Sequence, residues 1–425
     1  MVTLLRLVFV CAFVVLLAVP GMLTFHRVAA GDEAARSSVE NRRYARFSQI
    51  PNRLRNNPDF IHGLPSWVET AFSDQMPIRH DVTRIVNSTL VYGFGRATGA
   101  GVSIHRGHWF LTETPSFTHM ACAAPAGINE AYANLLLEAY SGFNTRMAAR
   151  GVDVYLILPP TQATINPSRL PPYLRDRCED QPPPATRLVE RLRDAGARVA
   201  YDVDWFRETG AEHLFEPRSY HWHFGGGMRY SEYLLAEGML SELGIEPMPV
   251  AREGEPNFTH RIDLANRMGV GWTQYRFFRP PFGERFRGTS NGVQWRDETG
   301  DDYARFVNNG SLEQALFTQG RPGTGRALII GDSFSRQANF YLARHFEEAL
   351  VLRTNFMGQA LAPGSMEALV EMYQPDHILF IFVETKFAPV DPQDSQAIMS
   401  SFLPEGTRYR ASDWQVIREG SRRRR

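Results

Sequence analysis

The stretch Ala327-Leu328-Ile329-Ile330-Gly331-Asp332-Ser333-Phe334-Ser335 decides how the rest of the chain is read. An unbroken apolar run of this length suits a strand buried on both faces. Gly331 permits a tight turn, and the polar residues after it can cap a helix start. Similar units lie on either side. Residues 128–150 read as a helix with apolar Leu135, Leu136, Leu137 and Phe143, closed by Gly151. Val152-Asp153-Val154-Tyr155-Leu156-Ile157-Leu158 is a buried strand stopped by Pro159-Pro160. A helix over 186–194 ends at Gly196, and 197–203 reads as the next strand. Helices follow over 230–240 and 340–350. His377-Ile378-Leu379-Phe380-Ile381-Phe382-Val383 is the closing strand. Apolar strands alternating with helices predict an α/β fold: a parallel sheet flanked by helices on both faces. In such a sheet the active site lies beyond the carboxyl ends of the strands, here after Leu158, Val203, Ile330 and Val383.

The chain has 425 residues, with 46 Lys+Arg against 46 Asp+Glu. A net charge of zero argues against bulk nucleic-acid binding, which needs a basic surface. At 43% hydrophobic and 12% aromatic the sequence is too apolar for a disordered chain.

Residues 7–24, LVFVCAFVVLLAVPGMLT, carry no charge. As a helix they span roughly 27 Å, enough for a bilayer core. With Arg6 ahead of it, the segment predicts an inner-membrane signal anchor over 1–28 that exports the remainder. The competing reading is a cleaved signal peptide ending at Val28-Ala29-Ala30, which would leave a periplasmic protein. Residues 29–60, polar and Arg-rich, read as a stalk. Residues 61–410 read as the exported domain, with 251–325 as an insertion or lid, and 411–425 as a basic tail. Trp67, Phe72, Ile78, Val82, Ile85, Val86 and Leu90 fall near helical spacing, so 64–94 is predicted as helix, turn, helix. Val102-Ser103-Ile104 and Gly107-His108-Trp109-Phe110-Leu111 read as a short hairpin. Cys122 and Cys178 are the two exported cysteines. They form either a disulfide or two buried thiols.

Ser333 would stand at the carboxyl edge of the sheet, beside helix-start N–H groups able to hold an oxyanion. The same Gly-Asp-Ser turn is also an ordinary helix cap. A serine nucleophile needs a base. The segment Ser219-Tyr220-His221-Trp222-His223-Phe224-Gly225-Gly226-Gly227 follows the strand ending near Val203 and precedes a helix. Its three glycines predict an unusual turn. His-x-His also fits a metal pair, but no third ligand is evident, so neither metal nor cofactor is expected.

Taken in order, these motifs resemble the alginate O-acetyltransferase family of Gram-negative bacteria, whose exported domain has an SGNH-hydrolase-like fold. The similarity runs over 64–386. It rests on Phe72-Ser73-Asp74-Gln75-Met76-Pro77-Ile78-Arg79, on Gly107-His108-Trp109-Phe110-Leu111, on Leu158-Pro159-Pro160 with Leu170-Pro171, on Gly331-Asp332-Ser333-Phe334, and on Pro375-Asp376-His377 through Val383-Glu384. His precedes Ser in the chain, as in that family. The family's Asp-x-His-Trp motif is matched by His221-Trp222, but its Asp position holds Ser219. Three outcomes follow: Ser219 orients His221 by a neutral hydrogen bond, another carboxylate such as Asp204 or Glu216 substitutes, or the site is degenerate.

The resemblance implies acetyl transfer to hydroxyls of an exported polysaccharide through an acetyl–Ser333 ester, with His221 as base. The Ser333 N–H, with Arg353 or Asn355, would stabilise the oxyanion; Gly331, Asp332 and Trp222 belong to the same oxyanion and substrate region. The implied partners are the polysaccharide acceptor, the inner membrane, and a membrane-bound O-acyltransferase that delivers acetyl groups outward. Two alternatives use the same residues: an acetylesterase with water as acceptor, and a non-catalytic polysaccharide-binding or assembly protein. Trp109, Trp222, Trp272 and Trp295 are candidate sugar-stacking residues.

Overall fold

A computed structural model describes residues 2–34, 43–98, 101–111, 130–178, 183–210, 213–248, 258–262, 264–265, 268–270, 274–277, 312–319, 321–354, 363–387 and 399–407. These divide into two compact units, 1–102 with 261–274, and 103–260 with 275–425.

The larger unit holds the sheet. Its strands are β1 (Val102–His105), β2 (His108–Leu111), β3 (Asp153–Ile157), β4 (Arg198–Ala200), β5 (Phe258–Arg261), β6 (Gln274–Phe277), β7 (Leu312–Gln319), β8 (Arg326–Gly331), β9 (Glu348–Thr354) and β10 (His377–Ile381), three of the short ones running up to or across the unit boundary. β1 pairs with β2 and β5 with β6, and the central six-stranded sheet has the order β4-β3-β10-β8-β9-β7. Its first five strands are parallel. The sixth, β7, runs antiparallel to β9.

The register aligns the ends that matter: Ile381 of β10 sits opposite both Ile157 of β3 and Gly331 of β8. Alternate residues of each strand enter two separate cores. Leu328, Ile330, Ile378 and Phe380 face one, beneath the helix Glu130–Ala148. Ile329, Leu379 and Ile381 face the other, beneath the helices Phe224–Ala236 and Ser335–Leu342. Burial on both faces is why these strands read as continuous apolar runs.

Three expectations change. Residues 340–350 are not one helix. The helix ends at Leu342, a single 3-10 turn follows, and Glu348–Thr354 is a strand. No glycine or proline marks that break, so the apolar run hid it. The 251–325 segment is not wholly an insertion, because its Leu312–Gln319 supplies the antiparallel edge of the sheet. The helix expected over 230–240 starts at Phe224 and absorbs the three glycines. They do not form a turn. Gly226 and Gly227 permit close packing: a Cβ on Gly226 would lie 2.4 Å from the Leu214 oxygen, and one on Gly227 would lie 2.7 Å from the Gln337 backbone.

In the smaller unit the segment read as a stalk is folded and partly helical. It contains the helix Ile50–Asn56, and the Glu33 carboxylate accepts from Phe47 and Ser48 N–H. Gln75 of the helix Phe60–Gln75 donates to the Ala34 and Ala45 carbonyls, and buried Asp74 accepts from Ala45 N–H. Residues 2–29 form one helix, Val2–Ala29. Among the described residues, no helix is long and apolar enough to cross a membrane. Much of the 7–24 run lies outside that description at the side-chain level. Cys122 and the 411–425 tail lie outside the described residues, and Cys178 ends a helix without a described side chain.

Candidate active site

β8 ends at Gly331, where a Cβ would come within 2.5 Å of the Ile381 oxygen, so only glycine lets the chain leave the sheet this close to β10. Asp332 then fixes the turn. Its side chain is buried. One carboxylate oxygen accepts from Phe334 N–H (2.8 Å) and the other from Val383 N–H (2.9 Å). The first bond shapes the turn and the second ties it to the end of β10. Asp332 therefore holds the loop; a buried carboxylate serving two N–H groups is unsuited to receive an oxyanion. The loop closes through Ser335, whose hydroxyl donates to the Asp332 carbonyl (2.7 Å). Ser333 is left at the turn, half-buried, just ahead of the helix Ser335–Leu342. Among the described residues, nothing accepts a hydrogen bond from its backbone N–H.

His221 reaches this serine from a second clamped loop. Phe215 and Trp222 form an antiparallel bridge, and His223 N–H donates to the Leu214 carbonyl (3.0 Å). The six residues between them make a narrow projection. It is braced by Ser219 N–H on the Glu216 carbonyl and by Arg218 on the Glu216 carboxylate. His221 Nε2 lies 2.7 Å from Ser333 Oγ. The nearest structural reason is next door: the Trp222 indole N–H donates to the Phe334 carbonyl at 2.7 Å, joining the two loops one residue beyond the reacting pair. The His221 and Tyr220 rings both pack against Phe334, with centroids 4.9 and 5.1 Å away. Trp222 is thus a buried strut, and not a sugar platform. Trp109 is buried too, while Trp272 and Trp295 lie outside the described residues.

The two histidines of His-x-His have different work. His223 caps the helix Phe224–Ala236, its Nδ1 accepting from Gly226 N–H (3.0 Å). Burial drives its pKa down to about 4, so the ring stays neutral and serves as an acceptor. That division explains the spacing without a metal.

At the position of the expected carboxylate, Ser219 is buried two residues before His221. The two candidate substitutes are engaged by arginines. Asp204 is solvent-exposed and faces Arg207 at 3.6 Å, and Glu216 is held by Arg218. Arg353 lies on β9 with its backbone opposite Gly331, one strand from the turn that carries Ser333; Asn355 lies outside the described residues.

Sequence reading missed Glu384. It follows β10 and is fully buried, accepting from Thr161 N–H (2.7 Å), Tyr201 OH (2.5 Å) and the Thr164 hydroxyl. Burial pushes its pKa above the ordinary glutamate value, while these hydrogen bonds pull it back. It fastens the loop after β3 to the end of β10. Thr161, Gln162, Ala163 and Thr385 of these segments, with Trp109–Leu111 of β2 and Tyr220, line a small cleft. Tyr220 precedes His221 in the chain, while His221 and Ser333 themselves are not among the residues lining the cleft. A lone Glu after an apolar strand carries no sequence signal of this kind.

No protein-family model matches the chain, and no curated protein matches it. Several solved structures are weakly similar to it. A DHHW family protein from Eubacterium siraeum is 12% identical with a TM-score of 0.46, covering 73% of this chain and 97% of that one. PatB1 from Bacillus cereus is 11% identical with a TM-score of 0.45, covering 68% and 97%. The O-acetyltransferase domain of Pseudomonas putida AlgJ is 14% identical with a TM-score of 0.40, covering 76% and 99%. Similarity this low carries no argument; the chemistry is read from the site itself.

Proposed function

We propose that the chain is an O-acetyltransferase working through a serine acyl-enzyme. The observation that carries this is the 2.7 Å contact of His221 Nε2 with Ser333 Oγ at the carboxyl edge of a parallel sheet. A serine beside a helix start is a common cap; its hydrogen bond to a histidine from a separate clamped loop supports reading the two as nucleophile and base. As Ser333 Oγ bonds to the donor's acetyl carbon, His221 Nε2 takes the hydroxyl proton and passes it to the departing group. The Ser333 N–H is placed to hold the carbonyl oxygen as it becomes negative. In the second half an acceptor hydroxyl attacks the ester, His221 takes its proton, and Ser333 Oγ leaves and regains one. Metal and cofactor have no part in these steps.

The sequence resemblance supports a polysaccharide hydroxyl as acceptor. It also supports an exported domain at the inner membrane, held by the 7–24 segment, with a membrane-bound O-acyltransferase as acetyl source. In cells making the polymer, Ser333→Ala removes polymer acetylation while the purified variant keeps the wild-type melting temperature. Unchanged acetyl content would sink the assignment. Acetyl release into water at equal rate with and without polymer would favour the esterase.

A further inference from the structure

The helix Arg79–Ser88, with the turn Thr89–Gly93 after it, is inside out. Ile78, Val82, Ile85, Val86 and Tyr92 recur at the three- and four-residue spacing of one helical face, and each is exposed, Ile85 by 61%. Both of its arginines turn toward the helix's own neighbours, while Asp81 stays 64% exposed beside the stripe. Arg79 donates to Ser73 Oγ (2.5 Å) and lies 3.8 Å from buried Asp74, while Arg84 is only 28% exposed. A soluble helix would do the reverse. Sequence spacing alone could not show this, because an apolar stripe reads the same whether it faces in or out.

The preceding helix continues the surface. Phe72 of Phe60–Gln75 is exposed on one side. On the other, its ring lies 3.7 Å from the Cβ position of Gly21 in the helix Val2–Ala29. That helix in turn exposes Val14, Val15, Val19, Met22 and Phe25. One apolar surface therefore runs from the uncharged N-terminal segment onto the 78–92 stripe, within a single unit.

We propose that the 78–94 helical face lies in the bilayer interface, its apolar stripe among acyl chains. This goes beyond the anchor proposed above and rests on it: the anchor tethers the chain, while this face fixes which side of the unit meets the membrane.

The full chain is reconstituted into vesicles of phosphatidylethanolamine and phosphatidylglycerol containing a diazirine-bearing phospholipid. After photolysis, labelled tryptic peptides are mapped. The expected result is lipid label on the 85–96 peptide as well as on the N-terminal peptide. In Ile85→Asp/Val86→Asp, label on that peptide falls severalfold and N-terminal label is unchanged. Label confined to the N-terminal peptide overturns the proposal and leaves the anchor intact. No label on either overturns both. An 85–96 peptide that stays unlabelled by lipid, but becomes shielded from an aqueous carbene probe when the membrane acyltransferase is co-reconstituted, replaces lipid with a protein partner.

Discussion

The carboxyl edge of the sheet and the helical face at 78–92 break the same rule in opposite directions. At the sheet edge, polar groups go inside: Asp332, Glu384 and His223 are buried or nearly so, and each is tied to backbone N–H groups. At the helical face, apolar groups go outside. Buried polar groups cost stability unless fully bonded, and exposed apolar stripes cost solubility unless covered. The first exception builds a frame that holds Ser333 and His221 at contact. The second leaves a surface that needs something to cover it.

The comparison is broken most strongly at the sheet edge. Asp332→Ala leaves the Phe334 and Val383 N–H groups buried without their acceptor. It should cost about 3 kcal/mol of stability and lower turnover at least about tenfold, because Ser333 loses its fixed turn. Chemical denaturation and acetyl-ester turnover read both. A variant as stable and active as wild type would mean that the loop holds itself.

The buried histidines give a pH test of intermediate size. His223 and His345 have folded pKa values near 4 because burial disfavours their charged forms. His345 accepts from Met248 N–H (2.8 Å), a role open only to the neutral ring. The unfolded chain takes up these protons near pH 6.5 and the folded chain only near 4. Their contribution is therefore complete above about pH 6.5 and is lost as pH falls toward 4, by up to about 3 kcal/mol for each ring. The melting temperature should drop over that window, and less steeply in His345→Gln. An equal slope in that variant would contradict the assignment.

The smallest effect belongs to the other region. Ile85→Asp/Val86→Asp should shift stability in aqueous buffer by no more than about 0.5 kcal/mol, since those side chains already face solvent. A large loss would show that the stripe is core.

This contrast also explains what the sequence disclosed. β3, β8 and β10 were legible because burial on both faces leaves long apolar runs, and Ser333 because it follows such a strand; His221 lies beyond the short edge strand β4 and the helix Val203–Thr209, and stood out by its glycine-rich surroundings. β9 was not, since its run merges with the helix before it. Trp222 was visible as a residue but not as a strut, because its bond to the Phe334 carbonyl crosses 112 positions. Asp332 read equally well as cap or oxyanion partner until its second bond, to Val383, was seen. Ser219 stood out in the sequence at the expected carboxylate position, but only packing shows that Asp204 and Glu216 face arginines.

The central claim is that Ser333 is acylated with His221 as its base. Intact-mass measurement after mixing the full chain with 4-nitrophenyl acetate tests it most directly. The account predicts a single acetyl adduct on the peptide containing Ser333, absent in Ser333→Ala and formed at least about a hundredfold more slowly in His221→Ala. Acetylation elsewhere, or an adduct at Ser333 that forms as fast without His221, would contradict it.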